Sequence, residues 1–466
     1  MIDKREILEA TSAFSLGLPS IVEKDYVLGW ILAGINAHEE LADSWVFKGG
    51  TCLKKCYFET YRFSEDLDFT LRDESHLDEE FLRSVFEEVV AWVAEQSGLN
   101  IASDQLDFDI YDNPRGEPNC QAKIGYRGPV SPTSGGWPKI KLDLTADEKL
   151  VLQPVRREVF HPYSDRPEGG IWANCYAYEE AFGEKLRALG ERTRPRDLYD
   201  VVNLYRHTDS RPTATVILDV LRQKCEHKNI AIPTFASLVP HRQTLDATWS
   251  DMLSHQLPVL PPLNDFWDAL PEIFTWLTSG AAVPQRSILY PSANEVAVRT
   301  RALPIGVPST SRSTLEIIRF AAANHLCVDL SYDSSVRRIE PYSLRQTAEG
   351  FFVVHAIRSN SGEHRSYRVD RIQGAAVTSQ VFNPRYAVEL TSTGASNVVP
   401  SIAIPRMPRI ARTGRSRPQG PTYVYRCTAC GKTFNKKKMD GTLNAHKNRQ
   451  GYPCYGRYGS YVRTKY

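Results

Sequence analysis

The chain has 466 residues, 42% of them hydrophobic and 24% charged, a globular balance that excludes a largely disordered or fibrous protein. No apolar run approaches the ~18 residues of a bilayer span, and the charged N-terminus has no signal-peptide core, so the expectation is a soluble, cytoplasmic chain with no membrane partner. The net charge of +2 hides a split: residues 401–466 hold nine Arg, six Lys and one acid, Asp440, a balance of +14, which leaves −12 on the first 400 residues.

Taken in chain order, Val27, Trp30, Ile31 and Ile35 follow helical spacing after the polar start Glu23-Lys24-Asp25. Residues 44–47 read as a strand running into Gly49-Gly50, and residues 63–71 as a second strand. A long helix is expected over 75–97, an alternating strand from Lys139 to Leu144, and helices over 177–190 and 197–206. Residues 281–310, with four prolines and no periodicity, read as a linker. One helix (Ser313 to Asn324) and short β segments then fill 311–395 as a small β-barrel-like domain. Residues 396–422 are Pro/Arg/Ser-rich and read as a basic flexible linker. Residues 423–466 are too few to build a core without a staple. The fold class expected is α/β (α+β), with domains at 1–280, 311–395 and 423–466.

Gly49 and Gly50 end a strand and Thr51 opens a helix, which offers free amides and a positive dipole to an anion. Period-two geometry puts Asp66 and Asp68 on one face of the next strand. Alone, they are two solvated acids. Asp143, on its own strand with Lys139 and Lys141 facing the same way, would bring a third carboxylate beside the glycine turn if the strands pair. Converging acids repel unless a cation neutralises them, and two Mg²⁺ ions could there hold a triphosphate and activate a hydroxyl.

These residues resemble the polymerase-β-like nucleotidyltransferase superfamily and, within it, the AbiEii/AbiGii toxin family. The resemblance runs through Val22-Glu23-Lys24-Asp25-Tyr26, Phe47-Lys48-Gly49-Gly50-Thr51-Cys52-Leu53, Arg62-Phe63-Ser64-Glu65-Asp66-Leu67-Asp68-Phe69 and Lys139-x-x-x-Asp143. It continues through Glu180-Ala181-Phe182-Gly183-Glu184-Lys185 and Arg194-Pro195-Arg196-Asp197-Leu198-Tyr199-Asp200, covering roughly residues 15–280. It implies Asp66, Asp68 and Asp143 as catalytic metal ligands, with Asp143 a base for the attacking hydroxyl. It implies triphosphate contacts from Gly49, Gly50 and Thr51, with Lys139, Lys185 and Arg196 steadying the nucleotide and Asp200 orienting nearby basic groups. For Lys185 and Arg196 a solvated helix face or a surface salt network stays open.

Residues 311–395 resemble a WYL domain, an SH3-like barrel that senses ligands, through Val328-Asp329-Leu330-Ser331-Tyr332, Arg337-Arg338-Ile339-Glu340-Pro341-Tyr342 and Arg365-Ser366-Tyr367-Arg368-Val369-Asp370-Arg371-Ile372. The tripeptide that names the family is replaced by Phe351-Phe352-Val353. Arg338, Arg365 and Arg371 form a candidate phosphate-reading patch, since guanidinium forks suit phosphate; Arg371 pairing with Asp370 or Glu340 is the alternative.

In the tail, Cys427-x2-Cys430, His446 and Cys454 can close a tetrahedral structural Zn²⁺ site. Lys436, Lys437, Lys438, Arg449 and Arg457 tilt this segment towards RNA or DNA, against a staple without nucleic-acid contact. The expected function is a metal-dependent nucleotidyltransferase, a toxin or phage-defence effector moving a nucleotide from an NTP to RNA, tRNA favoured, with release of pyrophosphate. Protein acceptors stay open. An antitoxin or a WYL-domain ligand is an expected partner. The alternative is a nucleic-acid-binding, ligand-sensing regulator whose first domain is non-catalytic.

Overall fold

The computed structural model describes residues 1–14, 16–58, 61–113, 115–132, 134–207, 213–280, 286–290, 292–298, 309–390, 421–436, 438–448 and 453–465. Most of the linkers expected at 281–310 and 396–422, together with Lys437 and Arg449, lie outside these residues.

A seven-stranded mixed sheet forms the base of the first unit. In chain order its strands are β1 (Trp45–Lys48), β2 (Asp66–Leu71), β3 (Leu106–Asp112), β4 (Pro118–Gly125), β5 (Lys139–Thr145), β6 (Val155–Val159) and β7 (Ile171–Cys175). Across the sheet they run β3-β4-β5-β2-β1-β7-β6, with β2/β5 and β1/β7 parallel and the other pairs antiparallel. The helices Pro19–Ala37 and Glu79–Ser97 pack on one another and on the sheet. Pro19 suits the first turn of its helix, where an amide has no partner to lose. Asp78 caps the second by accepting from the amides of Glu80 and Phe81. The first helix is apolar nearly all round and buries Tyr26, Leu28, Trp30, Ile31 and Leu32. Each such side chain contributes roughly 1.5–3 kcal/mol of transfer free energy.

The helices Tyr178–Arg192, Pro195–Arg206 and Ala214–Lys228 form the next layer. Thr193 turns the chain between the first two in a left-handed conformation, φ +43°. Gln256 reaches back from beyond them, its carbonyl accepting from the Phe63 amide at 3.0 Å and its Oε1 from Arg62 Nη1 at 3.1 Å.

The second unit starts with β8 (Glu295–Ala297) and the helix Ser309–Ala323, then β9 (Leu326–Tyr332), β10 (Ser335–Thr347), β11 (Phe352–Arg358), β12 (His364–Arg368) and β13 (Ile372–Val381). The order is β12-β11-β10-β9-β13, with β8 added to β10. The closed SH3-like barrel expected from sequence is not found: among the described residues β12 and β13 remain unpaired edges, so the strands form an open curved sheet. Its helix packs on β9 and β13 and on the chain's first helix, Lys4–Ala13. Tyr199 Oη donates to Asn324 Oδ1 at 2.8 Å across the same junction.

The tail holds β14 (Thr422–Cys427), β15 (Thr433–Lys436), β16 (His446–Lys447), β17 (Pro453–Cys454) and β18 (Gly459–Lys465). Among the described residues Cys427, Leu443 and Cys454 form one buried cluster, with Cys430 and Phe434 against them, and Val424 and Tyr425 are buried as well. Among the described residues no helix is long and apolar enough to cross a membrane.

Candidate active site

Parallel pairing of β2 with β5 sets Asp68 directly opposite Asp143 and Asp66 opposite Lys141. On the other side of β2, Lys48 faces Asp68 across the antiparallel ladder with β1. The alternation of β5, with Ile140, Leu142 and Leu144 buried, leaves Lys139, Lys141 and Asp143 on the opposite face. Asp143 Oδ1 accepts from Gln121 Nε2 at 3.2 Å, its neighbour on β4.

The electrostatics follow from this register. Burial pushes the Asp68 carboxyl up, Asp143 and Asp66 add to it, and Lys48 and Lys185 offset it in part, leaving it at about 6. Burial likewise raises Asp66, with Asp143 on the same side of the balance and Lys24 and Lys141 against it. A half-buried row of oxygen donors with an excess of negative charge is the chemistry that hard divalent cations fit. Among the described residues two cysteine clusters each gather their ligand atoms within 4.8 Å of one another, and the three aspartates do not.

Gly49 takes φ +80°, and a Cβ there would lie 2.0 Å from Asp68 Oδ2, so only glycine lets the turn meet the acid strand. A Cβ on Gly50 would lie 2.5 Å from Arg62 Nη2. Thr51 is fully buried and its hydroxyl donates to the Asp66 carbonyl at 2.5 Å. It therefore ties the turn to the acid strand.

Asp200 is also fully buried. It accepts from Tyr61 Oη at 2.5 Å, from Arg62 Nε and Nη2 at 2.8 Å each, and pairs with Lys185 Nζ at 2.7 Å. Burial opposes its charge, but Arg62 and Lys185 outweigh it and hold the carboxyl far below its ordinary range. Asp197, paired with Lys185 at 3.2 Å and with Arg192 at 2.7 Å, extends the network. Lys185 is thus gripped by two aspartates at the back of the site. Arg196 is half-buried, its Nε donating to the Met252 carbonyl at 3.3 Å, and burial pulls its pKa down.

Residues that sequence reasoning passed over complete the surroundings. Arg62 and Lys48 lie inside motifs that were read for their glycines and acids alone. Lys24 pairs with Glu65 at 2.9 Å beside Asp66. Asp25, with no chemical role readable from sequence, pairs with the buried Lys55 at 3.0 Å and accepts from Tyr163 Oη at 3.2 Å. Burial pushes Asp25 up, while Lys55 and Lys54 overcome it and hold its carboxyl low. Asp25 thereby anchors the segment that follows the glycine turn.

Two arginines of the expected patch each hold an acid. Arg338 forks onto Asp329 at 2.7 and 2.8 Å, and Arg365 pairs with Glu363 at 2.6 Å, on strands separated by β11. Arg368, not Arg371, holds Asp370, and Arg385 holds Glu340.

The tail residues do converge. The ligand atoms of Cys427, Cys430, His446 and Cys454 all fall within 4.8 Å of one another. His446 pairs in register with Cys454, and its Nδ1 lies 2.9 Å from the Asn444 carbonyl, which leaves Nε2 facing the sulfurs. Burial raises the Cys427 thiol, but the amides of Cys430 and Ala429 outweigh it and bring it to about 6. Three soft sulfurs and an imidazole suit Zn²⁺. Tyr455, Tyr458 and Tyr461 stand exposed nearby.

No curated protein matches the chain. Among solved structures, it is similar to MenT4, a nucleotidyltransferase toxin of Mycobacterium tuberculosis, at 19% identity and TM-score 0.37, over 59% of this chain and 87% of that one. It is also similar to the proteasome accessory factor B/C of Arthrobacter aurescens at 14% identity and TM-score 0.15, over 56% of this chain and 41% of that one. The family model described as "Nucleotidyl transferase AbiEii toxin, Type IV TA system" matches residues 30–272, just over half of the chain, with the glycine turn and all three aspartates inside the match: the chain belongs to this family and is a nucleotidyltransferase.

Proposed function

We propose that the chain is a metal-dependent toxin that transfers a nucleotide from an NTP to RNA, with tRNA the favoured acceptor. The observation that carries the reading is the register of Asp68 with Asp143, with Asp66 on the same strand and the Gly49 turn against Asp68. Two Mg²⁺ ions held by Asp66, Asp68 and Asp143 would supply charge neutralisation of the triphosphate and activation of the acceptor hydroxyl. The chain's own residues do the rest. The amides of Gly49 and Gly50 hold phosphate oxygens, with the Arg62 guanidinium beside Gly50 adding positive charge. Lys139, exposed on β5, and the half-buried Arg196 steady the nucleotide. Lys185 and Asp200 act from behind by fixing Arg62. Asp143 accepts the proton of the attacking hydroxyl, and pyrophosphate leaves.

A zinc-stapled tail fits the rest of the charge distribution. A catalytic unit with excess acid repels a polyanion, and a basic tail with exposed tyrosines offers it both phosphate contacts and stacking surfaces. The curved sheet of the second unit is kept as a WYL-like ligand-sensing domain, and a cognate antitoxin is the expected protein partner. The test is purified protein with labelled NTPs, Mg²⁺ and total RNA. Label entering RNA with the wild type and not with Asp66→Ala/Asp68→Ala supports the reading. Equal labelling by both removes the metal assignment, and label entering protein alone removes RNA as acceptor.

A further inference from the structure

Behind the glycine turn lies a second convergence of metal-binding side chains. Cys52 closes the short helix that starts at Gly49, Cys56 lies in the π-helical stretch Leu53–Tyr57, and Cys175 ends β7. β7 runs parallel to β1 with Cys175 in register with Phe47, two residues before Gly49. Three segments thus deliver one sulfur each to one point. The three Sγ atoms all lie within 4.8 Å of one another, and all three residues are at most 1% exposed.

A single buried cysteine behaves as a small hydrophobe, and one or two here would call for nothing more. Two features set this trio apart. The chain widens into a π-helix over Leu53–Tyr57, which includes Cys56, a geometry concentrated at functional sites, with the Phe58 amide bonding back to the Leu53 carbonyl at 2.7 Å. The wall of the cluster also carries a cation. Arg157 Nε donates to the Cys56 carbonyl at 2.8 Å, and its guanidinium lies 4.2 Å over the Tyr57 ring.

We propose that Cys52, Cys56 and Cys175 form a site for one thiophilic divalent cation of the zinc class, separate from the aspartate cleft and from the tail. Metal–sulfur bonds of ~2.3 Å put sulfurs sharing one ion about 4 Å apart, within the observed limit. Three thiolates on a divalent ion leave one negative charge, and Arg157 supplies the matching positive one. The three thiol protons leave on binding, and no electron moves. The Val155 carbonyl, 3.5 Å from Cys175 Sγ, offers an oxygen for a fourth contact. An ion here would tie Cys52, two residues past Gly50, to β7 and so brace the turn from behind.

The experiment uses the full chain with its tail site blocked by Cys427→Ser/Cys430→Ser. Protein expressed with added Zn²⁺ and gel-filtered is expected to retain one equivalent. X-ray absorption at the zinc edge is expected to show about three sulfurs at ~2.3 Å. This measurement needs no core substitution. Adding Cys175→Ala is expected to remove the metal, while Cys120→Ala, a buried cysteine elsewhere, leaves it. Less than a tenth of an equivalent in the tail-blocked chain overturns the proposal. So does a shell dominated by oxygen, which would place the ion at the aspartates, or full retention after Cys175→Ala.

Discussion

Replacing Asp200 by alanine tests how the site is held together. The carboxylate takes four close contacts, from Tyr61, twice from Arg62, and from Lys185, and all of them are buried. Asp200→Ala leaves Arg62 with no carboxylate of its own and Lys185 with Asp197 alone. Breaking a buried pair from one side costs about 3–5 kcal/mol, because the remaining charge keeps its desolvation penalty. Lys185 retains one partner, so the lower half of that range is expected, about 3 kcal/mol. All eight tryptophans lie between residues 30 and 276, so their fluorescence in a urea titration follows this unit and not the tail. Arg62→Met in the same background removes the orphaned charge and is expected to recover about 1–2 kcal/mol, a coupling that a double-mutant cycle isolates. Freed from Asp200, Arg62 also leaves Gly50, and nucleotide transfer is expected to fall by at least tenfold under conditions where the variant is folded. A loss below 1 kcal/mol, or no coupling with Arg62→Met, would refute this account of the network.

Gly49→Ala forces a side chain into φ +80° and against Asp68 Oδ2, so transfer is expected to fall by about a hundredfold while stability falls by roughly 1–3 kcal/mol; kinetics beside urea unfolding check both. Asp68→Asn removes a carboxylate raised to about 6 by burial and its acidic neighbours, so activity should vanish while the metal-free chain gains about 1–2 kcal/mol, read by thermal unfolding in chelator. His161 is fully buried and burial holds it below its ordinary pKa, so it is neutral in the fold. The unfolded chain takes the proton first as pH drops below ~6.5, so stability falls by up to about 1.4 kcal/mol per pH unit from there down to the folded pKa; His161→Phe should flatten that slope between pH 6.5 and 5. Removing residues 401–466 should weaken RNA binding and lower its salt dependence while NTP binding persists, checked by binding isotherms at several salt concentrations.

The aspartate face was legible because alternation has period two: Asp66, Asp68 and Asp143 could each be assigned a side from their apolar neighbours. That β2 and β5 are adjacent and parallel was not, because the segment between them holds a helix and two further strands. The alternation of β3, Leu106 to Asp112, passed unread, and β7 was missed because a strand buried on both faces has no alternation to show. The resemblance implied Lys185 at the phosphates and left a salt network open; its pairing with Asp197 and Asp200 was not legible, since a lysine on an amphipathic helix carries no mark of its partners and both acids reach it only once the next helix folds back. Arg62 and Lys48 gave no signal of their own, as each acts through a neighbour fixed by pairing. Tail spacing was more informative, because four ligands of the right type within 28 residues leave few ways to meet.

Arg62 is clasped by Asp200 and Gln256, residues 138 and 194 positions downstream. During synthesis the glycine turn and all three aspartates emerge long before either clasp does. At roughly 5–20 residues per second, the interval from Asp143 to Gln256 lasts about 6–23 s. The nascent polypeptide therefore carries its acids on the ribosome before Arg62 has either partner, and the turn gains its finished backing only once the chain has run well past residue 256.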